Sequence, residues 1–406
     1  MPGAGGKGRG ELAPDPLELG FHWHRFKATL AVMVLALLLL LAAAVPARAA
    51  ELVTIDTPSK HVNAATVPWN GDDHPRKLRA NVLLPDGYDG KRRFPVLFLL
   101  HGVGDAYNTW AKPERGDITE TAKGFPGIIV MPEGDRGFYT NWWNDGRRAD
   151  PGWERYYLEE LIPLVERRYR IRKARRWHAI AGLSMGGMGA TYLASQRPHY
   201  FGSAATFSGF VSHQRPEVEA GLRAVGQVEY TDIFGPMDEF YATGHNPSQL
   251  TANLRRTRLY VTVGDGTPAE GQINPAAGLV EAGLRPQSEE LVAAAEDSGV
   301  DVTYVPLNGI HDWPEWRRAL RNAIAWRFFK PVARTTTSWE YKTTMTWSRA
   351  WGFRFTFFEP PEELIHFERR GRKLIGHGAG AVRVRTPAGR RMVIKLPFTR
   401  TLRKRP

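Results

Sequence analysis

The run Gly182-Leu183-Ser184-Met185-Gly186 sets one serine among glycines. The apolar stretch WHAIAG (177–182) precedes it and the small-residue stretch MGGMGATYLAS (185–195) follows it. The first reads as a buried strand and the second as a closely packed helix. Glycine inside regular structure costs stability, so its crowding around Ser184 signals a sharp turn under tight packing. A serine on a strand-to-helix turn of the G-x-S-x-G type projects its hydroxyl above the sheet. The Met185 N–H then lies at a helix N-terminus, where free amides and the helix dipole stabilise an anion. These are the requirements of a serine nucleophile attacking an acyl carbon.

Such a serine needs a second amide, a base and an acid. The apolar run FPVLFLL (94–100) ends in His101-Gly102-Val103-Gly104, and the Val103 N–H is the candidate second donor. The base must follow the serine in the chain. Outside the C-terminal segment, His199, His213, His245 and His311 compete. His311, in NGIHDWPEW, lies between the strand-like VDVTYVP and the last helix, where a base can reach back over a sheet. For the acid, Asp265, Glu270 and Glu281 lie between the strand RLYVTVG and His311. Spacing alone favours Asp265, which directly follows that strand. The stretches DAYNTW and NWW are expected to wall the substrate site through Trp110, Asn141 and Trp142, since indoles stack on sugars or line acyl grooves.

The elements that must position these groups alternate. Strand-like runs occur at 78–85, 94–100, 127–131, 177–182, 203–209 and 258–264, and again in VDVTYVP. Helical patterns occur at 153–169, 288–299 and 313–328. Strands alternating with helices predict a mostly parallel sheet covered on both faces. From residue 331 the pattern changes to period two, rich in Thr, aromatics, Arg and Gly, with PAGR as a turn. This predicts a small antiparallel β module of about 60 to 70 residues. Thr401–Pro406 reads as a disordered basic tail. The expected domains are therefore 1–50, 51–330 and 331–406. The middle one is expected to hydrolyse a small ester without the last.

The chain has no cysteine, which excludes disulfides, thiolate metal sites and a cysteine nucleophile. No metal or cofactor is called for. The net charge is +13; residues 331–406 hold 17 Lys+Arg and 5 Asp+Glu, a balance of +12, leaving about +1 elsewhere. Near the N-terminus, Lys7, Arg9, Arg25 and Lys27 precede an uncharged run of 18 residues (28–45), followed by Pro46 and Ala47-Arg48-Ala49. That is the pattern of an export signal, at a length that also suits a membrane anchor. The expected location is outside the cytoplasmic membrane, secreted or anchored to its outer face. An exported basic module meets anionic lipid or cell-wall polymer rather than nucleic acid.

Five stretches resemble the esterase family that includes the mycolyltransferases and the esterase D-like hydrolases. They are LFLLHGVGDAYNTW, FYTNWW, AIAGLSMGGMGA, VGDGTPAEG with NPAAGLVEAGL, and GIHDWPEW, together spanning 97–316. The resemblance implies an α/β-hydrolase fold and acyl transfer through a serine ester. It implies an ester or glycolipid substrate. VGDGTP followed by Pro-Ala-x-x-x-x-Glu is closer to the mycolyltransferase branch, which implies Glu281 rather than Asp265 as the acid beside Ser184 and His311. Two departures bear on trehalose recognition: His101 stands where that branch has an aspartate, and Gly104 where it has an arginine.

Overall fold

The computed structural model describes residues 5, 49–64, 77–148, 150–270 and 272–402. The expected leader or anchor at 1–50 lies almost wholly outside the described residues, and so do residues 403–406 of the expected tail. Among the described residues no helix is long and apolar enough to cross a membrane. Ala49–Pro406 forms one compact unit.

An eight-stranded sheet carries the body. Its strands are β1 (Glu51–Asp56), β2 (Arg79–Leu84), β3 (Val96–Leu100), β4 (Ile128–Pro132), β5 (His178–Leu183), β6 (Ser203–Phe207), β7 (Arg258–Val263) and β8 (Asp301–Pro306). Their spatial order is β1-β2-β4-β3-β5-β6-β7-β8. The β1–β2 and β2–β4 pairs are antiparallel and all the others are parallel. Strands β3 to β7 are buried along their whole length. Because successive side chains alternate between faces, each strand feeds two cores. In β3, Val96, Phe98 and Leu100 join one core, and Leu97 and Leu99 join the other beside Trp110 and Trp313. That is why these strands read as continuous apolar runs.

Four helices matter for the site: α1 (Met185–Gln196), α2 (Pro216–Gly221), α3 (Pro275–Asp297) and α4 (Trp313–Trp326). Helix α3 starts well before the expected helix at 288–299. The Asn274 side chain caps it by accepting the Ala277 N–H at 3.1 Å, with Pro275 in the first turn, as helix starts favour. Gly278, Gly283 and Pro286 within the helix broke the periodic signal. The helix expected over 153–169 forms as Trp153–Arg155, Tyr156–Leu161 and Ile162–Arg168, the middle stretch wound as a π-helix.

The C-terminal strands are β9 (Ser338–Thr343), β10 (Trp347–Ala350), β11 (Phe353–Phe357), β12 (Ile365–Arg370), β13 (Lys373–His377), β14 (Ala381–Arg385), β15 (Arg391–Lys395) and β16 (Phe398–Thr401). They form two four-stranded antiparallel sheets, β10-β11-β14-β15 and β16-β13-β12-β9. The alternation is plain in β11, where Phe353, Phe355 and Phe357 point inward and Arg354 and Thr356 outward. The inward residues share a core with Trp339, Tyr341 and Phe367. Thr401, expected in a disordered tail, is the last residue of β16 and pairs with Lys373.

This sandwich is docked on the body by polar contacts and by Trp347, which packs against the body's larger core. Asn253 accepts the Lys342 N–H at 2.7 Å and donates to its carbonyl at 2.9 Å. The Tyr341 hydroxyl donates to Gln196 Oε1 at 3.2 Å. Arg197 lies over Trp347 and Arg175 over Trp351. The chain thus has separate cores on the two sides of residue 330 but no free linker between them.

Candidate active site

Strand β5 runs into Ser184 and α1 leaves it. Ser184 has φ 52° and ψ −121°, a conformation that costs a non-glycine residue about 1–3 kcal/mol. The surroundings hold it there: its N–H donates to the Phe207 carbonyl at 2.9 Å, and its carbonyl accepts from Gly187 and Met188. The neighbouring glycines answer a packing demand. A Cβ on Gly182 would sit 2.2 Å from the Gly186 carbonyl oxygen, and one on Gly186 would sit 2.5 Å from that of His101. The elbow therefore presses on the end of β3 with no room for a methyl group.

His311 follows β8 and sits at the foot of α4. Its N–H donates to the Ala277 carbonyl at 3.1 Å, and its ring meets Trp316 edge-on, 4.9 Å between centroids. Its Nε2 lies 2.9 Å from Ser184 Oγ, and its Nδ1 lies 2.7 Å from Glu281 Oε2. A carboxylate only accepts, so Nδ1 carries the proton and Nε2 is free to accept from the serine. Glu281, on α3, is buried. Burial alone would push its carboxyl up. The donors His311, Ser208 (Oγ at 2.6 Å) and the Gly264 N–H outweigh burial and hold it below the usual range. Gly264 must lack a side chain here, since its Cβ would fall 2.9 Å from Glu281 Cγ and 2.4 Å from the Gly309 carbonyl oxygen.

Asp265 does not reach His311. It accepts the N–H groups of Thr267 (2.9 Å) and Gly309 (3.1 Å), bracing the loop that delivers the histidine. Of the other three candidate histidines, His213 and His245 are buried in the fold and His199 is half-buried. Burial pushes His199 and His213 down to about 3 and His245 to about 4.

A cavity of about 420 Å³ opens beside Ser184 and His311. Its apolar wall includes Phe138, Phe210, Val218, Leu222, Leu279 and Leu284. Val103 and Met185 also line it. The Met185 N–H is among the first of α1, where no carbonyl lies one turn back to receive it. Asp105 is the acid nearest the glycine loop: its carboxylate is 3.3 Å from where a Gly102 Cβ would be. Burial pushes it up, against the pull of His101, Arg115 and Lys112.

Three expected site residues are elsewhere. Trp110 is a core residue: its Nε1 donates to the Leu100 carbonyl at 3.1 Å and its ring stands edge-on to Trp313. Asn141 is buried, accepting from the Arg155 N–H at 3.2 Å and donating to Glu154 at 3.4 Å. Trp142 lines a separate groove with Asp135, Arg136, Trp153 and Asp232. In their place, Ser208 and the cavity wall from α2 and the following turn Leu222–Gly226 were missed. Ser208 carries φ 49° directly after β6, a feature no residue type announces. His101 is also buried. Burial would push it down, but Glu133, 3.3 Å away, outweighs that and holds it up. Its Nε2 turns toward Glu133, which accepts the Gly134 N–H at 2.9 Å, rather than facing the cavity.

Comparison with known proteins fits this architecture. The family model described as "Putative esterase" matches residues 72–326. The chain belongs to this esterase family. It is 31% identical over 198 residues to Esterase MT1326 of Mycobacterium tuberculosis, covering 45% of this chain and 42% of that protein. It is 29% identical over 247 residues to the diacylglycerol acyltransferase/mycolyltransferase Ag85C of Mycobacterium avium, covering 55% of this chain and 67% of that one. The match thus spans less than half of the first relative's own length. Among solved structures, a ferulic acid esterase superposes with a TM-score of 0.51 at 25% identity, covering 70% of this chain and all of that one. Mycobacterium tuberculosis MPT51 superposes with a TM-score of 0.54 at 22% identity, over 68% of this chain and 98% of that one, and shares the fold. The fold of this esterase-family chain is therefore the α/β-hydrolase fold with an added antiparallel sandwich.

Proposed function

We propose that this chain is an exported serine esterase that cleaves or transfers an acyl group through Ser184, His311 and Glu281. The observation that carries the reading is the hydrogen-bonded line Glu281–His311–Ser184 opening on an apolar cavity. His311 Nε2 takes the Ser184 proton as Oγ bonds to the ester carbonyl carbon. The carbonyl electron pair moves onto oxygen, held by the Met185 and Val103 N–H groups. Collapse expels the alcohol, which leaves with the proton from His311, and the acyl group stays on Ser184. Water or a second alcohol then gives its proton to His311 and attacks the acyl carbon, and His311 returns that proton to Ser184 Oγ as the acyl–Oγ bond breaks. Glu281 stays ionised throughout, fixing the Nδ1–H tautomer and stabilising the imidazolium. The scheme calls for no metal or cofactor.

The apolar cavity suits an aliphatic or aromatic acyl group. Transfer to an envelope glycolipid is the second reading, favoured by the mycolyltransferase relative. With His101 buried and Gly104 lacking a side chain, the loop after β3 offers little to a trehalose acceptor. The export reading rests on the apolar run at 28–45 and the A-x-A pattern. The basic module supports an anionic envelope surface as partner. The deciding assay uses a short acyl ester with and without a sugar acceptor, on the wild type and on Ser184→Ala. Free acid alone marks an esterase, and a new sugar ester marks a transferase. Turnover that survives in Ser184→Ala rejects both.

A further inference from the structure

The outer face of the β10-β11-β14-β15 sheet carries a ladder of arginines. Arg349 pairs with Arg354, Arg354 with Arg385, and Arg385 with Arg391, so one rung places an arginine on every strand. The next rung sets Arg383 opposite Thr356 and Val393, and Lys395 lies beyond on the same face. Like charges directly opposite each other on a sheet destabilise it. Among the described residues, no acid forms an ion pair with any of these cations. Glu159 of the body lies toward Arg349 but is held by Arg155 at 3.6 Å. Glu359 stands at the edge of the face, next to Phe358. The other sheet of the sandwich is different. There Glu368 pairs with Arg370 and His377, and Glu340 lies 3.6 Å from His366.

The same arginine face exposes apolar side chains. Phe358 is 53% and Val393 63% exposed. Arg383 lies over the Phe358 ring, 5.1 Å from its centroid. A groove of about 470 Å³ runs among Arg354, Arg383, Arg385 and Arg391. We infer that this face docks on a bilayer of anionic phospholipid, the arginines taking headgroup phosphates and Phe358 and Val393 entering the interface. The inference rests on the envelope-facing reading of the module and gives it a face and a chemistry. Guanidinium suits phosphate through its fork of donors. The apolar pair separates the two anionic partners. A soluble polyanion would satisfy the arginines and leave Phe358 and Val393 in water, whereas a bilayer buries both kinds of side chain.

The test uses the compact unit beginning at Ala49, so that the N-terminal apolar run cannot insert. Its sedimentation is followed with vesicles of phosphatidylcholine containing phosphatidylglycerol, and of phosphatidylcholine alone. Binding is expected only to the anionic vesicles, with release at high salt. Each near-surface cation is worth about a factor of five. Arg354→Gln/Arg385→Gln/Arg391→Gln should therefore bind roughly a hundredfold more weakly while melting at the same or a higher temperature. Phe358→Ala/Val393→Ser should bind roughly tenfold more weakly. Equal binding to neutral vesicles, or wild-type binding by the triple variant, overturns the inference. So does a lower melting temperature of the triple variant, which would make the face structural. Tight binding to soluble polyphosphate that is indifferent to Phe358→Ala/Val393→Ser, without vesicle binding, replaces lipid by a wall polymer. Hydrolysis of a short soluble ester is read alongside and should stay constant in all of them; its absence in the wild type would instead reject the esterase reading.

Discussion

The body and the sandwich treat charge in opposite ways. Around Ser184 the carboxylate that matters is buried under three donors, and an unfavourable serine backbone is held by packing that admits no extra methyl group. On the sandwich, arginines stand in register across four strands with no acid between them. In the first region local cost is offset internally, because the geometry must exist before a substrate arrives. In the second it is left open for something outside the chain to offset. Removing a charged or strained group should therefore harm the site around Ser184 and relieve the sandwich.

The largest expected effect is Ser184→Ala, which should lower kcat for a short ester by about 10⁴-fold or more with unchanged circular dichroism. Activity near wild type would end the contrast on the body's side. Glu281→Gln follows, with a loss of about 10³-fold in kcat, since His311 loses the partner that sets its tautomer. Asp265→Asn should cost no more than about tenfold, through the loop at Gly309, and the reverse ranking would move the acid to Asp265. Gly186→Ala should destabilise by about 3 kcal/mol in urea unfolding, because its Cβ meets main-chain oxygens that cannot step aside. A neutral result would show that the elbow is looser than the carbonyl distances imply.

A buried acid away from the site sharpens the comparison through pH. Burial pushes Glu154 up to about 7, against the Tyr192 hydroxyl that donates to it at 2.9 Å. An acid whose pKa is raised on folding prefers its proton in the folded state. Its contribution is fully present below about pH 4.5 and is lost as pH rises to about 7. Relative to wild type, Glu154→Gln should gain up to about 3 kcal/mol between those values and level off above them. A difference that does not change with pH would show that Glu154 is ionised in the fold. The smallest effect belongs to the sandwich: Arg385→Glu, flanked by Arg354 and Arg391, should raise stability by about 0.5–1 kcal/mol. A loss there would mean that the ladder is internally compensated after all.

The parts legible in the sequence were those where one residue type answers one physical demand. Ser184 among glycines, His311 between a strand and the last helix, and the apolar runs of β3 to β7 are of this kind. The choice of Glu281 came from resemblance, because spacing pointed to Asp265. Structure shows why spacing misled: the carboxylate that meets His311 lies two turns inside α3, and Asp265 braces the loop instead. Trp110, Asn141 and Trp142 failed for another reason. Nearness in sequence to a site does not say which side of the sheet a side chain takes, and Trp110 turned into the core with Trp313. The cavity wall was illegible because it is assembled from 138, 210, 218–226 and 279–284, segments with no shared local signal. The arginine ladder was half legible. Period two put Arg383 and Arg385 on one face, but only strand order brings Arg354 and Arg349 beside them.

The seam between body and sandwich joins groups that lie far apart in the chain. Asn141, which helps position Glu154, has Met345 as a neighbour 204 residues further on. Asn253 bonds both the Ser195 carbonyl in the body and the main chain of Lys342 in the sandwich, and Gln196, at the end of the elbow helix, accepts from Tyr341. A ribosome delivers the body first, and the surface that these groups will fill stays bare until β9 has been made. Contacts this distant close slowly. A chain stopped near residue 331 therefore lacks part of the hydrogen bonding of Asn253 and Gln196, and its hydrolysis of a small ester measures how much those contacts matter. The elbow helix thus carries, at its far end, contacts to strands made more than a hundred residues later.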